Sequence, residues 1–319
     1  MRLIGESDVG EELLGVPWSR PLSGTLERLV VESELLAGNP LGDPTRRPLH
    51  VLRPRVIERV DEVLADPDCP DAIVVFVDAW TSYGGSQFLD SIATGPYQSY
   101  LCDEVVPFVD ERYPTIAGRE GRGINGKSSG GYGSMVVPMM RPDVFSALAS
   151  HAGDALFELS MAPGIAKTIR TLRDHYDSSY EVFFERFREA DSFDYDKHGP
   201  IEMYGYAAAY SPDPNDLGKA LVPFDPVSGR LIPEVWQQWL DHDPVVMAAG
   251  HADALRSMKR IYLDSGKGDE YYLDLGAQAF SAELDKLGVE HTLELFDGKH
   301  GGITYRYPGA IRELLVALS

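Results

Sequence analysis

The sequence predicts an α/β protein: a doubly wound, mostly parallel sheet with an inserted helical cap. Three observations carry that expectation. Short apolar runs alternate with segments of helical period over residues 26–154 and again over 258–319. One run, AIVVFVDA (72–79), is unbroken, the pattern of a strand covered on both faces. Between 155 and 245 the rhythm breaks, and the chain becomes richer in aromatic and charged residues. Residues 1–154 and 246–319 are therefore expected to form the core, with 155–245 as a cap or lid.

The elements follow in order. Residues 1–25, with Pro17 and Pro21, read as an irregular lead-in. LERLVVESELL (26–36) alternates as a strand, GNPLGDPTRR (38–47) is turn chemistry, and RPLHVLRP (47–54) is a second strand stopped by Pro54. RVIERVDEVLAD (55–66) and YLCDEVVPFVDERY (100–113) have helical spacing. RGING (122–126) is a short strand entering a glycine-rich turn, and SGGYGSMVVPMM (129–140) is a helix that Pro138 could kink. FSALASHAGD (145–154), MKRIYLDSG (258–266) and HTLELFDG (291–298) read as strands. SYEVFFERFREA (179–190) and DLGAQAFSAELDKLG (274–288) read as helices, and EVWQQWLDHDP (234–244) closes the inserted block.

Composition excludes several classes. With 319 residues, 44% of them apolar, there is material for a sizeable core, so wholesale disorder is out. Fifty acidic against 29 basic residues give a net charge of −21. That balance argues against coating nucleic acid or docking on anionic lipid, both of which need basic patches. Two cysteines, Cys69 and Cys102, cannot make a disulfide scaffold, and two reduced thiols are expected. No apolar run approaches the ~20 residues that cross a bilayer. The acidic start, MRLIGESDVGEELLG, has no apolar stretch of the secretory kind, so a cytoplasmic protein is expected.

The chemistry centres on Gly126-Lys127-Ser128-Ser129-Gly130, a G-x-S-x-G between a predicted strand and a predicted helix. That context suits a nucleophile turn, in which the serine points away from the sheet and flanking glycines avoid clashes. The glycine spacing does not fit a phosphate-binding loop. A serine hydroxyl needs a base, and the acid and histidine should follow it in that order. His300 lies in a glycine-flanked turn after the last strand, whereas His291 precedes that strand and belongs to the opposite edge. Asp269, first after the Gly266–Gly268 turn, is the expected acid. Glu270 is the runner-up, and Asp264 falls too early, within the strand. His151 and Asp154 also end a strand and should border the pocket, shaping it through hydrogen bonds or touching substrate. His242, in DHDP, resembles a capping or turn arrangement. No metal-ligand spacing is present, and no cofactor is expected.

Taken together, VVFVDAWTSYGGSQF (74–88), LCDEVVPFVDERYPT (101–115), RGINGKSSGGYGS (122–134), HAGD (151–154), GKGDEYYLDLGA (266–277) and DGKH (297–300) resemble the putative-esterase branch of the α/β-hydrolases. That branch includes esterase D (S-formylglutathione hydrolase), enterochelin esterases and mycolyltransferases. The resemblance implies a serine hydrolase of carboxylic esters or thioesters, with Ser128, Asp269 and His300 catalytic. Two departures stand out. Esterase D relatives carry His before the nucleophile, and here it is Lys127. Relatives also have a further central strand, whose loop gives one oxyanion N–H, between the second strand and the one equivalent to 72–79. Here RPLHVLRP runs straight into RVIERVDEVLAD. Either a further segment belongs near Pro54–Val56 or the protein truly lacks that strand; the former is the expectation, and a spatial break around Arg53–Val56 would reveal it.

The resulting expectation is a carboxylesterase-like serine hydrolase acting on a small-molecule ester, with the N–H of Ser129 donating to the oxyanion. Trp80, Tyr83, His151 and Trp236 are the candidate substrate-binding residues, with core packing the competing reading for each aromatic. Acyl transfer to a sugar or alcohol is the alternative on the same residues, and a catalytically silent binding protein is the alternative from another class. Oligomeric state is left open.

Overall fold

In the computed structural model, which describes residues 23, 27, 29–49, 54–189 and 199–319, four parallel strands are separated by helical crossovers. Ahead of them, β1 (Val30–Glu32) and β2 (Arg46–Pro48) pair antiparallel across the predicted turn. β1 is shorter than the predicted strand 26–36. The Glu104 carboxylate accepts the backbone N–H groups of Glu34 (2.8 Å) and Leu35 (2.9 Å), which holds that stretch in a turn. The predicted strand 47–54 is also cut short, since Pro54 opens a helix, α1 (Pro54–Leu64), rather than closing a strand. The lead-in 1–22 and the Arg53–Val56 junction, through residues 50–53, lie outside the described residues.

The strands β3 (Gly123–Lys127), β4 (Ala147–His151), β5 (Arg260–Gly266) and β6 (Thr292–Phe296) lie in the order β6-β5-β4-β3. Period-2 alternation sends their side chains to two layers. Ala147, Ala149 and Tyr262 meet Ala310 and Leu314 of the last helix, Tyr307–Leu318. Leu148, Ile261 and Leu263 meet Tyr132, Met135, Val136 and Met139, on the helix α3 (Ser129–Met140) that follows β3. Before β3, the helix α2 (Val106–Asp110) continues a wider π-type turn, Tyr100–Val105. Pro107 explains the widening, because it has no N–H for the Asp103 carbonyl.

The block after β4 is helical: α4 (Ala162–His175), α5 (Tyr180–Glu189), α6 (Gly199–Tyr210) and α7 (Pro233–Leu240). Its apolar residues Leu172, Phe183, Tyr210 and Trp239 belong to the same cluster as the α3 side of the sheet. The core resumes with β5, α8 (Leu273–Lys286), β6 and α9 (Tyr307–Leu318). Among the described residues no helix is long and apolar enough to cross a membrane.

One predicted strand is corrected. Residues 72–79 join no ladder, and they are half-buried to exposed rather than covered. They do alternate: Val74 and Phe76 pack against the α1–α9 cluster, while Val75, Val77 and Ala79 pack against the cluster around Tyr97 and Val105. What is missing is a neighbour to pair with. β3 is the edge of the sheet, with Gly123 and Asn125 exposed, and the described residues hold no strand between it and this segment.

Arg47 anchors the far end of that segment. Its guanidinium, almost wholly buried, donates to Asp78 Oδ2 (3.1 Å), to the Trp80 carbonyl (2.8 Å) and to the Tyr97 hydroxyl. Removing it strands a mostly buried carboxylate. Arg47→Ala is expected to lower unfolding stability by ~3 kcal/mol in urea titrations. A loss below ~1 kcal/mol would mean that water replaces the guanidinium without cost.

Candidate active site

The strand β3 ends at Ser128, whose backbone takes φ 58° and ψ −125°, a strained conformation for a residue with a Cβ. The turn closes only because its neighbours lack side chains. A Cβ on Gly126 would lie 2.1 Å from the Gly130 carbonyl oxygen, and one on Gly131 would lie 2.7 Å from Gly153 Cα. The Ser128 N–H is shared between the carbonyls of His151 (3.0 Å) and Ala152 (3.1 Å). This fixes the serine at the C-terminal end of the sheet, where α3 begins. The first N–H groups of a helix have no intrahelical acceptor, so Ser129 presents its N–H there.

Two loops bring the other groups in. After β5 and β6 the chain approaches itself closely: Gly268 N–H donates to Gly298 O (2.8 Å) and Lys267 N–H to Phe296 O (2.9 Å). His300 then stands with Nε2 3.1 Å from Ser128 Oγ and Nδ1 2.9 Å from Asp269 Oδ2. The Asp269 carboxylate is buried, and its other oxygen accepts the Tyr271 N–H at 2.9 Å. Glu270, the alternative acid, does something else: its carboxylate accepts the backbone N–H of His300 at 3.0 Å, which draws its pKa below the usual range. The Tyr271 ring stands edge-on to the His300 imidazole, centroids 4.9 Å apart. His291 lies at the other end of β6, bonded to Ser281 Oγ (2.6 Å) and the Val289 carbonyl (3.0 Å).

The expectation that His151 binds substrate is corrected. His151 has no exposed surface, and its Nδ1 lies 2.7 Å from Asp264 Oδ1. Arg306 Nε binds the second Asp264 oxygen at 2.9 Å. The parity of β4 explains this: His151 shares the face of Ala147 and Ala149, against α9, where its ring lies 4.7 Å from that of Tyr307. The aromatic candidates are scattered. Trp80 is 68% exposed, Tyr83 donates to the Gly218 carbonyl (2.9 Å) and packs on Phe184 and Tyr204, and Trp236 packs on Trp239. Among the described residues none of the three joins the hydrogen bonds around Ser128. In DHDP, Asp243 rather than His242 is the cap, accepting from the N–H groups of Val245, Leu156 and Phe157.

A second polar group joins Asp154, which the sequence places at the border of the pocket, to Gln87, which it does not single out. Gln87 Nε2 donates to Asp154 Oδ2 (3.0 Å) and to the Tyr210 hydroxyl (2.8 Å), all three residues being buried. Burial pushes the Asp154 carboxyl up to about 6, against the opposing pull of the Gln87 hydrogen bond and of His300. The only trace in the sequence is the GGSQF turn, whose Gln87 and Phe88 both adopt positive φ (53° and 52°).

Comparisons with known proteins bear on the family and the fold. A family profile described as Putative esterase matches residues 60–306. No curated protein matches. Among solved structures the chain is similar to a ferulic acid esterase, with 15% identity and TM-score 0.53 over 91% of this chain and 95% of that one. It is similar to FphF, a fluorophosphonate-binding serine hydrolase of Staphylococcus aureus, with 14% identity and TM-score 0.50 over 92% and 97% of the two chains. It is also similar to an S-formylglutathione hydrolase from Agrobacterium tumefaciens, with 13% identity and TM-score 0.50 over 92% and 95%. At these identities the likeness shows the fold, that of the α/β-hydrolases.

The turn itself can be tested. Gly126→Ala places a methyl group against the Gly130 carbonyl, so the strand and α3 must part. We expect a loss of ~2 kcal/mol or more in denaturant unfolding. A stability within ~0.5 kcal/mol of the parent would show that the turn has room to relax.

Proposed function

The chain belongs to the putative-esterase family, and on that premise we propose that it is a serine esterase cleaving carboxylic esters through an acyl-enzyme. Membership itself supports ester hydrolysis in general. The observation that carries the finer reading is the continuous line from Ser128 Oγ to His300 and on to Asp269, at 3.1 and 2.9 Å.

In this reading Ser128 Oγ attacks the acyl carbonyl carbon as His300 Nε2 takes its proton. The carbonyl oxygen becomes an oxyanion and accepts from the Ser129 N–H. The tetrahedral intermediate collapses, the C–O bond to the alcohol breaks, and the departing alkoxide takes the proton from His300. Water repeats the sequence on the acyl-serine, releasing the acid and restoring the Ser128 hydroxyl. Asp269 keeps Nδ1–H of His300 pointed at itself and stabilises the imidazolium between steps. Its two oxygens are both engaged, one by His300 Nδ1 and one by the Tyr271 N–H, which holds the carboxylate in place for that task.

Residues 155–245 complete the reading as a cap over this end of the sheet, with Trp80, Tyr83 and Trp236 proposed as walls for the acyl or alcohol part. Lys127, in the position of the esterase D histidine, argues against S-formylglutathione as the substrate. The free, buried cysteines Cys69 and Cys102 fit a reducing, cytoplasmic setting.

A fluorophosphonate probe is expected to label Ser128, and Ser128→Ala to abolish labelling. Asp269→Asn is expected to lower kcat on a short-chain nitrophenyl ester by about 10³–10⁴-fold, since it disturbs the His300 tautomer while leaving its place intact. Equal labelling of the parent and Ser128→Ala proteins would sink the esterase reading.

A further inference from the structure

Asp154 is a buried carboxyl that the reaction above leaves unused. Its surroundings prescribe how it must behave. The His242 carbonyl can only accept, so the Tyr132 hydroxyl donates to it (3.0 Å). The Tyr132 ring packs edge-on against that of Tyr210, centroids 5.6 Å apart. The Tyr210 hydroxyl in turn accepts from Gln87 Nε2 at 2.8 Å. The second Gln87 amide hydrogen goes to Asp154 Oδ2 at 3.0 Å. Both Gln87 amide hydrogens are thus taken, one by the Tyr210 hydroxyl and one by Asp154 Oδ2.

Gln87 is the one donor to that carboxyl among the described residues. A carboxylate has about four acceptor positions, and leaving them empty in a buried place is costly. Asp154 is 3% exposed and stands two residues after the Ala152 carbonyl that receives the Ser128 N–H. The preceding residue, Gly153, packs against the first turn of α3, and the Ala152 carbonyl takes the Ser128 N–H. The charges of His300 and Asp269 act on Asp154 directly. The two consecutive positive φ values at Gln87 and Phe88 show that the backbone is held in a strained form to deliver Gln87 there.

Resting on the serine-esterase reading, we infer that Asp154, positioned by Gln87, is a specificity residue that accepts a hydrogen bond from a hydroxyl group of the substrate. The substrate class is then a hydroxylated ester, with the hydroxyl on the acyl or the alcohol part, rather than a plain alkanoate. A hydroxyl next to an apolar ester fits these surroundings: Tyr210, which shares the Gln87 amide with Asp154, packs on the rings of Tyr132 and Tyr206, and the titratable groups that bear on Asp154 are Glu202, Asp269 and His300.

The test pairs esters that differ by one hydroxyl: 4-nitrophenyl 3-hydroxybutanoate against 4-nitrophenyl butanoate, and glyceryl monobutyrate against propyl butyrate. Whichever pair shows the preference identifies the half of the substrate that carries the hydroxyl. In that pair the parent protein is expected to favour the hydroxylated ester at least tenfold in kcat/KM. Asp154→Asn keeps the shape but presents an amide N–H in place of the free acceptor. It is expected to erase the preference by lowering the hydroxylated rate 10–100-fold more than the plain-ester rate. Because burial pushes the carboxyl up to about 6, the parent's preference should be fullest above that pH, where the ionised carboxylate is the stronger acceptor, and weaken below it, while the variant's ratio should be flat. The same ratio is read from calorimetric binding of the two esters in a Ser128→Ala background, with and without Asp154→Asn, which needs no turnover. Equal loss on both esters, or no preference in either pair by rates or binding, overturns the inference. Failure of the probe to label Ser128 overturns the esterase reading instead, and leaves the binding comparison to decide the role of Asp154.

Discussion

Where β3 passes into the first turn of α3, Gly126 and Gly131 have no room for a side chain. Gly126 abuts the Gly130 backbone, Gly131 abuts Gly153, and Ser128 between them takes positive φ. The strain costs of the order of 1–3 kcal/mol. It is offset by what the turn permits: α3 lies close enough to the sheet to bury Tyr132, Met135, Val136 and Met139, each contributing about 1.5–3 kcal/mol. The same close approach sets Gly153 against the helix and the Ala152 carbonyl on the Ser128 N–H. The two catalytic-end loops obey a parallel constraint, since Gly266 and Gly298 touch where a Cβ would lie 2.6 Å from backbone. The position of His300 follows from that contact.

Two carboxyls near one imidazole would compete for it unless their environments differ. Asp269 accepts from the imidazole and from the Tyr271 N–H, and its orientation is thereby set. Asp154 has one donor, from a neutral amide, and burial raises its pKa. The division of labour comes from hydrogen-bond supply rather than from distance along the chain. Glu270, next in sequence to Asp269, illustrates the same point: it faces outward and serves the His300 backbone.

Most of the fold was legible because helix and strand periods are local properties. Ser129–Met140, Tyr180–Glu189 and Leu273–Lys286 fall within a residue or so of the stretches that their apolar spacing marks. The triad-like line was legible because it rests on a turn motif and two strand-end loops. Residues 72–79 were not, since alternation describes the side chains while a ladder depends on a second strand supplied from elsewhere. His151 was misread although its parity with Ala147 and Ala149 already pointed to the α9 face. Gln87 had no signal beyond a glycine-rich turn, because its role depends on Asp154 and Tyr210, 67 and 123 residues away.

The exposed flank of β3 carries a further consequence. An interior strand is laced on both sides, but the strand that aims Ser128 is laced to β4 alone among the described residues. Fewer ladder bonds and half-exposed residues place it at the low end of local opening free energies. The helices α3 and α8 and the strands β4 and β5 are more deeply buried, and should outlast it on heating. Thermal inactivation of this protein would then be a fraying event rather than a melting event. Activity would fade over a temperature range in which the helical signal is still intact, and cooling would restore it without global refolding.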